Sequence, residues 1–279
     1  MTLTHDREIS GKLRVPHNTA ATAKGSIHDD ATAAKLGFKG GTVAGSLHMD
    51  QFVPLLLQLY GDDWHRRGNF SMYFKQATVD REAVRAFARA GEDHARLWME
   101  NEAGDLISEG SASCAGPDLD SELVHRLAGQ ARSAPGSLRI LGKAKVDDEV
   151  KDVTVRVTAE ALKGRLKTIP ETIPEYEADP AYLPPSMSVQ LYRGAQDKLF
   201  SLASLAVGLF GAIELQSLAG PLKAETDYKC RAKILALSES PKTENVWYQA
   251  WAADPETGED VGWMIMYLRF MKASSPLWT

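Results

Sequence analysis

The sequence predicts an α+β protein in which one plan, a central helix followed by an antiparallel sheet, occurs twice. The first observation is an apolar run at residues 46–60, which is too short to cross a bilayer and is typical of a buried helix. The second is the series of strand-like segments that follows this run. The third is the return of a similar order of elements later in the chain, which indicates an internal duplication.

Composition limits the classes of protein to which the chain can belong. At 279 residues it is long for one small domain, so two domains or one duplicated domain are expected. A net charge of −5 gives no basic footprint, so nucleic acid is not expected as a partner. Cys114 and Cys230 form no disulfide framework, and no His or Cys cluster has the spacing of a metal site. Without a signal peptide or membrane span, the sequence predicts a soluble cytoplasmic protein that needs no metal or cofactor.

The entry to the first central helix is rich in glycine. Gly40, Gly41 and Gly45 would let a ligand approach backbone N–H groups that the first helical turn leaves unpaired. These groups carry the positive end of the helix dipole, so negative charge would be stabilised there. A short helix is expected before them, beginning near Asp30, whose carboxylate suits an N-cap. Four strands are expected after the central helix, at residues 69–74, 84–90, 95–100 and 106–114.

The stretch before this helix matches a known signature at several positions. These are Ile27, His28, Asp30, Ala34, Gly37, Phe38, Val43, Ala44 and Gly45. They resemble the signature of the MaoC-like, R-specific enoyl-CoA hydratases and dehydratases, a family with the hotdog fold. The family pattern is roughly Gly-Asp-x-Asn-Pro-Ile-His-x-Asp, followed after a short helix by Gly-Phe and by a Pro-Ile-x-His-Gly turn.

The chain departs from this family pattern at four positions. The family's Asp falls on Ala23, its Asn on Gly25, its Pro on Ser26, and the His of its His-Gly pair on Ala44. His28 and Gly45 are retained. The family uses that Asp with the His to hold and activate one water, and Ala23 can do neither.

The resemblance implies a tandem, or double, hotdog in which each half is a central helix wrapped by an antiparallel sheet. The first hotdog, residues 1–117, carries the His28 motif, and a linker at 118–136 leads to a second hotdog, residues 137–279, without the motif. The other elements expected are a linker helix at 121–131, a second central helix at 199–213, and strands beginning at 214 and spanning 226–237, 245–253 and 261–271. A proline-rich segment at 169–186 is expected to be irregular and could cover a pocket between the halves.

Two residues carry the predicted chemistry. His28 is the predicted general acid or base, since imidazole titrates near neutral pH. The resemblance assigns the Gly45 amide as a hydrogen-bond donor to a thioester carbonyl as it gains enolate charge. Asp29 is a weaker substitute for the missing carboxylate, whereas Asp30 matches the capping position.

Five further residues are predicted to bind substrate. His48 and Asp50 are a polar pair on an apolar helix, and each could reach the site or pair with other buried groups. Lys24 could contact a phosphate or carboxylate. Tyr192 and Arg193 are the second half's contributors to a site between the halves.

The function implied is that of a lyase, a hydratase or dehydratase acting on an acyl thioester, with an acyl-CoA as the small-molecule substrate. Because Ala23 removes one group of the dyad, a reaction needing one acid or base is an alternative: isomerisation, non-hydrolytic elimination or cyclisation. A non-catalytic thioester-binding or partner subunit is a second alternative. A thioesterase is a third, since hotdog thioesterases generally use a carboxylate on the central helix and Asp50 is the only acid there. The oligomeric state is left open, with a homodimer as one option.

Overall fold

The computed structural model of the chain describes residues 7–130, 137–200 and 206–278. Its strands are β1 Glu8–Ser10, β2 Asn69–Phe74, β3 Val84–Arg89, β4 Ala95–Asn101, β5 Leu106–Ser113, β6 Glu149–Val155, β7 Gly208–Ser217, β8 Tyr228–Glu239, β9 Thr243–Ala253 and β10 Asp260–Met271. Its α-helices are α1 Asp30–Lys35, α2 Gly45–Met49, α3 Val53–Tyr60, α4 Asp63–Arg67, α5 Glu122–Gly129, α6 Ala159–Leu166 and α7 Pro185–Leu199. Short 3-10 helices lie at Asp50–Phe52, Pro174–Tyr176, Lys272–Ser274 and Pro276–Trp278.

The strands form one antiparallel sheet in the order β1-β3-β4-β5-β2-β7-β10-β9-β8-β6. Read from either edge, the order follows one plan, with β1 matching β6, β2 matching β7, and β3, β4 and β5 matching β8, β9 and β10. The internal duplication indicated by element order is therefore present in the sheet. The predicted strands 69–74, 84–90, 95–100 and 106–114 agree with β2 to β5 within one residue.

Each half of the sheet covers one helix. In the first half, α2, a 3-10 turn and α3 form one helical segment, and Leu47, Phe52 and Leu56 are fully buried on it. In the second half the helix is α7, where Met187 and Leu191 are fully buried. Because α2 and α7 contact each other, the two helices and the sheet share one hydrophobic core.

The prediction of a second central helix at 199–213 is wrong. Residues 208–217 form β7, and the helix lies earlier, at Pro185–Leu199, while residues 201–205 fall outside the described part of the chain. Pro185 occupies the first helical position, where its missing N–H costs nothing and its fixed φ suits the helix. The irregular proline-rich segment therefore ends at Pro184 rather than at residue 186.

The two halves are joined by the pairing of β2 with β7. This pairing runs from Asn69 opposite Gln216 to Tyr73 opposite Ala212. Gly211 is then an extra residue in β7, because β10 pairs with Ala212 and next with Phe210. A Cβ at Gly211 would lie 2.3 Å from the ring of Tyr267, so glycine is required. A bulge of this kind bends its strand, and here β2 and β7 part beyond it.

The linker helix α5 covers the outer face of this junction. Its N-cap, Ser121, accepts a hydrogen bond from the Val124 N–H, as expected for a helix beginning at this position. Leu123 packs in a cluster with Tyr73, Ala212, Trp247 and Tyr267. The α5 helix thus contacts both β2 and β7 where they pair, and residue 131 of the predicted helix lies outside the described residues.

A buried carboxylate anchors the start of the second half. Glu244 in β9 is fully buried, and its oxygens accept N–H bonds from Arg139 at 2.8 Å, Ile140 at 3.1 Å and Leu141 at 2.8 Å. The indole Nε1 of Trp278 donates to the same carboxylate at 2.7 Å. One side chain therefore holds both the segment after the linker and the C-terminal turn.

We expect Glu244→Gln to lower the free energy of unfolding by about 2–3 kcal/mol, because charge-assisted hydrogen bonds are lost in a buried site. The matched control is Glu239→Gln, whose partly exposed carboxylate pairs with Lys272 and should cost less than about 1 kcal/mol. Urea unfolding followed by circular dichroism measures both. Equal losses in the two variants would contradict the anchoring role of Glu244.

Candidate functional site

A cavity of about 300 Å³ lies where β2 and β7 part. Its walls come from the loop before α2, the start of α2, the end of β2 with the following loop, the start of β7, and β10. The lining residues are Ile27, His28, Phe38, Thr42, Val43, Ala44, Gly45, His48, Phe74, Lys75, Gln76, Ala77, Thr78, Gly208, Leu209, Phe210 and Arg269. Both halves contribute to the cavity, and the described lining contains no carboxylate and no residue of the proline-rich segment.

His28 is held in one orientation by the chain that follows it. Its Nδ1 lies 2.7 Å from the Thr42 carbonyl oxygen, so Nδ1 carries the hydrogen and donates. The Nε2 atom is then the nitrogen with a free lone pair, which can accept a proton. Asn18 Nδ2 donates to the His28 carbonyl oxygen at 2.7 Å. A Cβ at Gly41 would lie 2.2 Å from that oxygen, which explains the glycine there.

The two aspartates after His28 have structural partners. Asp29, rather than Asp30, is the N-cap of α1, so the sequence-based assignment of the cap to Asp30 is wrong. The Thr32 hydroxyl donates to Asp29 at 2.7 Å and lowers the pKa of that carboxyl. Asp30 instead accepts the Gly41 N–H at 2.7 Å and fixes the glycine turn. Neither aspartate lines the cavity, so neither replaces the missing carboxylate.

Gly45 lines the cavity at the first position of α2. An N–H group at this position has no acceptor within its own helix. A Cβ at Gly45 would lie 2.9 Å from the ring of Phe74, so a larger residue would displace that ring. The glycine therefore serves close packing and leaves a backbone donor beside the cavity.

His48 and Thr78 form a polar pair in the cavity wall. His48 Nε2 lies 2.7 Å from Thr78 Oγ1, and the Gln51 amide lies 3.3 Å from His48 Nδ1. Because the Gln51 Nε2 atom is a donor, Nδ1 accepts and Nε2–H donates to Thr78. Burial lowers the pKa of His48 to about 4, so the ring is neutral at pH 7. The Thr78 hydroxyl is left able to donate its own hydrogen to another acceptor.

Asp50 joins the two helices instead of lining the cavity. It is fully buried, and its Oδ1 accepts the N–H of Ser186 in the first turn of α7 at 2.8 Å. Its Oδ2 has no partner among the described residues. Burial raises the pKa of Asp50 to about 7, although the Ser186 hydrogen bond acts in the opposite direction.

The structure does not bring the other predicted binding residues together with His28. Tyr192 is buried and lines a second cavity of about 80 Å³, together with His65, Tyr176 and Gln216. Arg193 is exposed and does not line the cavity, although its guanidinium carbon lies 5.4 Å from the ring centroid of the lining residue Phe210.

The turn that carries the altered motif position is also separate from the cavity. Lys24 and Ala23 are exposed in a turn at residues 19–25, and neither residue lines the cavity. The Ala23 carbonyl oxygen accepts the Ser26 hydroxyl at 2.6 Å, which is a local turn contact.

Sequence reasoning missed Arg269. This residue lies in β10 between the core residues Leu268 and Phe270. It is the charged residue that the second half contributes to the described cavity lining. The available signal was a single cation inside an otherwise apolar strand, since buried charges usually have a specific partner.

Two absences hold for the described ranges. No group of three or more His, Cys, Asp or Glu side chains there could hold a metal ion. No helix there is both long and apolar enough to pass through a bilayer.

Solved structures share this fold over nearly the whole chain. A MaoC domain dehydratase from Chloroflexus aurantiacus J-10-fl has a TM-score of 0.60 at 12% identity, over 96% of this chain and 95% of that chain. Rv0216 from Mycobacterium tuberculosis, described as a double hotdog, has a TM-score of 0.62 at 12% identity, over 96% and 97%. A Lactobacillus plantarum protein described as an oleoyl thioesterase has a TM-score of 0.50 at 10% identity, over 97% and 99%. No protein-family model and no curated protein sequence matches the chain.

The chain is therefore a double hotdog protein, and the predicted fold class is confirmed. Within that fold it is similar to MaoC-like dehydratases, so the resemblance first drawn from the residues around His28 is confirmed for the fold. Identities of this size leave the reaction to be argued from the cavity itself.

We expect the unfolding free energy to depend on pH through Asp50. Its folded pKa of about 7 lies above the usual 3.8, so the folded protein keeps this proton to higher pH than the unfolded chain. Stability should therefore fall as pH rises from about 4 to about 7 and then level off. Glu214, with its pKa raised by burial to about 7, acts in the same direction.

Asp50→Asn should reduce this fall by roughly 1–4 kcal/mol. Asp93→Asn, at an exposed turn, is the control and should leave the pH dependence unchanged. Urea unfolding at a series of pH values gives the comparison. The same pH dependence in Asp50→Asn and the unmodified protein would exclude Asp50 as its source.

Proposed function

We propose that residues 1–117 and 137–279 form two hotdog units joined by 118–136, and that the protein is an acyl-thioester hydratase or dehydratase with acyl-CoA as its substrate class. The observation that carries the proposal is the pairing of a fixed His28 Nε2 lone pair with the Gly45 N–H in one cavity. Enolate chemistry requires a hydrogen-bond donor at the thioester oxygen and an acid–base group near C2 and C3.

The proposed reaction needs one acid–base group. His28 Nε2 takes a proton from water as the water oxygen bonds to C3 of the enoyl thioester. The electron pair moves to the thioester oxygen, and the Gly45 N–H stabilises the enolate. The imidazolium then gives its proton to C2 and the carbonyl re-forms, so that water has been added and His28 is regenerated. Dehydration follows the same path in reverse.

In this proposal Thr78 positions the attacking water, as the family's Asp, here replaced by Ala23, would otherwise do. Its oxygen accepts from His48, so its hydroxyl hydrogen can be donated to the attacking water. Because burial lowers the pKa of His48 to about 4, the ring stays neutral near pH 7 and keeps this direction of donation. Thr78 is a positioning residue here, since it does not exchange a proton with substrate.

The residues that line the cavity favour one alternative reaction, isomerisation, and disfavour another, thioester hydrolysis. The described lining has no carboxylate, which suits a reaction with one base, so double-bond isomerisation of the same thioester class is the second candidate. A thioesterase that uses the helix carboxylate is disfavoured, because Asp50 contacts the α7 N-terminus instead of the cavity.

We expect turnover of a panel of 2-enoyl-, 3-enoyl- and 3-hydroxyacyl-CoA compounds, measured from the absorbance of the conjugated enoyl thioester. His28→Gln should lower kcat/KM by about 10²–10⁴-fold, the usual worth of a general acid–base group. His125→Gln, on the exposed α5 surface where His125 pairs with Asp120, should retain full activity.

Three results would change the assignment. Activity on 3-enoyl-CoA alone would identify an isomerase. Turnover that survives His28→Gln would remove His28 from the mechanism. Binding of acyl-CoA by the folded protein without turnover of any compound would support the non-catalytic binding subunit.

A further inference from the structure

Arg269 enters the candidate cavity from the second half. It stands opposite Leu209 in the β10–β7 pairing, three residues beyond Met266, the β10 residue that faces Ile213. Its strand neighbours Leu268 and Phe270 point into the core, so the Arg269 side chain leaves the sheet on the other face. It is nonetheless among the residues that line the cavity, at a level where the pairing of β2 with β7 has already ended.

The guanidinium of Arg269 has no acidic partner within the described residues. Its Nε atom is buried and makes no hydrogen bond there. Its Cζ lies 5.9 Å from the ring centroid of Tyr267. The only other cation in the described lining is Lys75, and its Nζ lies 2.5 Å from Glu109 Oε1. In this lining, Arg269 is therefore the cation that can pair with a charged ligand, and its buried Nε–H is available to donate to that ligand.

The contrast with Arg231 shows what Arg269 lacks. Arg231 lies on the neighbouring part of the same sheet, and its two terminal nitrogens donate to Asp260 at 2.6 and 2.8 Å. A planar guanidinium prefers such two-point contacts with carboxylate groups. An apolar acyl tail placed against Arg269 would instead leave its buried N–H unpaired, which carries a penalty.

We propose that Arg269 binds a carboxylate at the distal end of the acyl group, so that the substrate is a thioester of a dicarboxylic acid. This inference rests on the proposed function for the position of the thioester, which lies between His28 and Gly45. The carboxylate then lies at the β10 wall of the cavity and accepts from Nε and a terminal nitrogen of Arg269. Selection for the charged acyl group comes from the second half, whereas the chemistry comes from the first.

A phosphate of the CoA carrier is the other source of an anion. The acyl carboxylate fits better, because the Arg269 Nε is shielded from solvent by the cavity walls, whereas a diphosphate keeps much of its hydration at a surface. Free CoA carries the phosphates without the acyl carboxylate, so it separates the two sources in a binding experiment.

The test is calorimetric titration of the full chain with glutaryl-CoA, valeryl-CoA and free CoA. The two acyl groups have the same number of carbon atoms and differ in the terminal carboxylate, and neither has a double bond to hydrate. We expect glutaryl-CoA to bind about 10- to 100-fold more tightly than valeryl-CoA, as for a charge-assisted hydrogen-bonded pair. In Arg269→Gln this preference should fall to within about threefold, with valeryl-CoA and free CoA unaffected.

Two further variants keep the test decisive. Arg269→Lys retains the charge without the two-point geometry and should keep part of the preference. Arg96→Gln, an exposed arginine over the Trp98 ring, is the matched control and should keep all of it. Thermal unfolding of each variant confirms that the compared proteins are folded.

Equal affinity of the unmodified protein for the two acyl-CoA compounds would overturn the proposal. A similar loss of affinity for free CoA and glutaryl-CoA in Arg269→Gln would overturn it too, since Arg269 would then bind a carrier phosphate. These results are independent of catalysis. Absence of turnover with an enoyl panel that includes the dicarboxylic thioester glutaconyl-CoA would overturn the proposed function and leave a measured carboxylate preference standing.

Discussion

The pairing of β2 with β7 joins the two halves of the sheet, and its early end produces the cavity. Five residues of each strand pair, from Asn69 to Tyr73, and the Gly211 bulge then turns β7 away. The opening is lined by both halves, so each can supply a different function. Because the Tyr267 ring occupies the space of a Cβ at Gly211, packing on the outer face and the shape of the cavity depend on the same contact.

The strands were largely predictable, and the second central helix was not. Buried and exposed residues alternate in strands such as β3, so period and turn residues locate them. The run at 199–213 is mostly apolar, with Ser201 and Ser204 as its only polar side chains, and a buried strand of this composition has no period that separates it from a buried helix. The true helix α7 begins with Pro185, which sequence reasoning treats as a breaker although the first helical position tolerates it.

For the site, contacts between residues close in sequence could be predicted, whereas contacts between residues distant in sequence could not. His28 and Gly45 lie in one cavity because one glycine-rich turn connects them, which makes their proximity a local property of the sequence. Asp50 and Tyr192 depend on how α2 meets α7, and that packing has no local signal. Arg269 reaches the cavity only because two strands distant in sequence part beside it, so its place could be found only from the three-dimensional structure.

The most direct test of this account is a crystal structure of the protein with bound glutaryl-CoA. We predict the thioester oxygen at about 3 Å from the Gly45 nitrogen, with C2 and C3 facing His28 Nε2. A thioester bound in the second cavity beside Tyr192, or one whose oxygen points away from the start of α2, would contradict it.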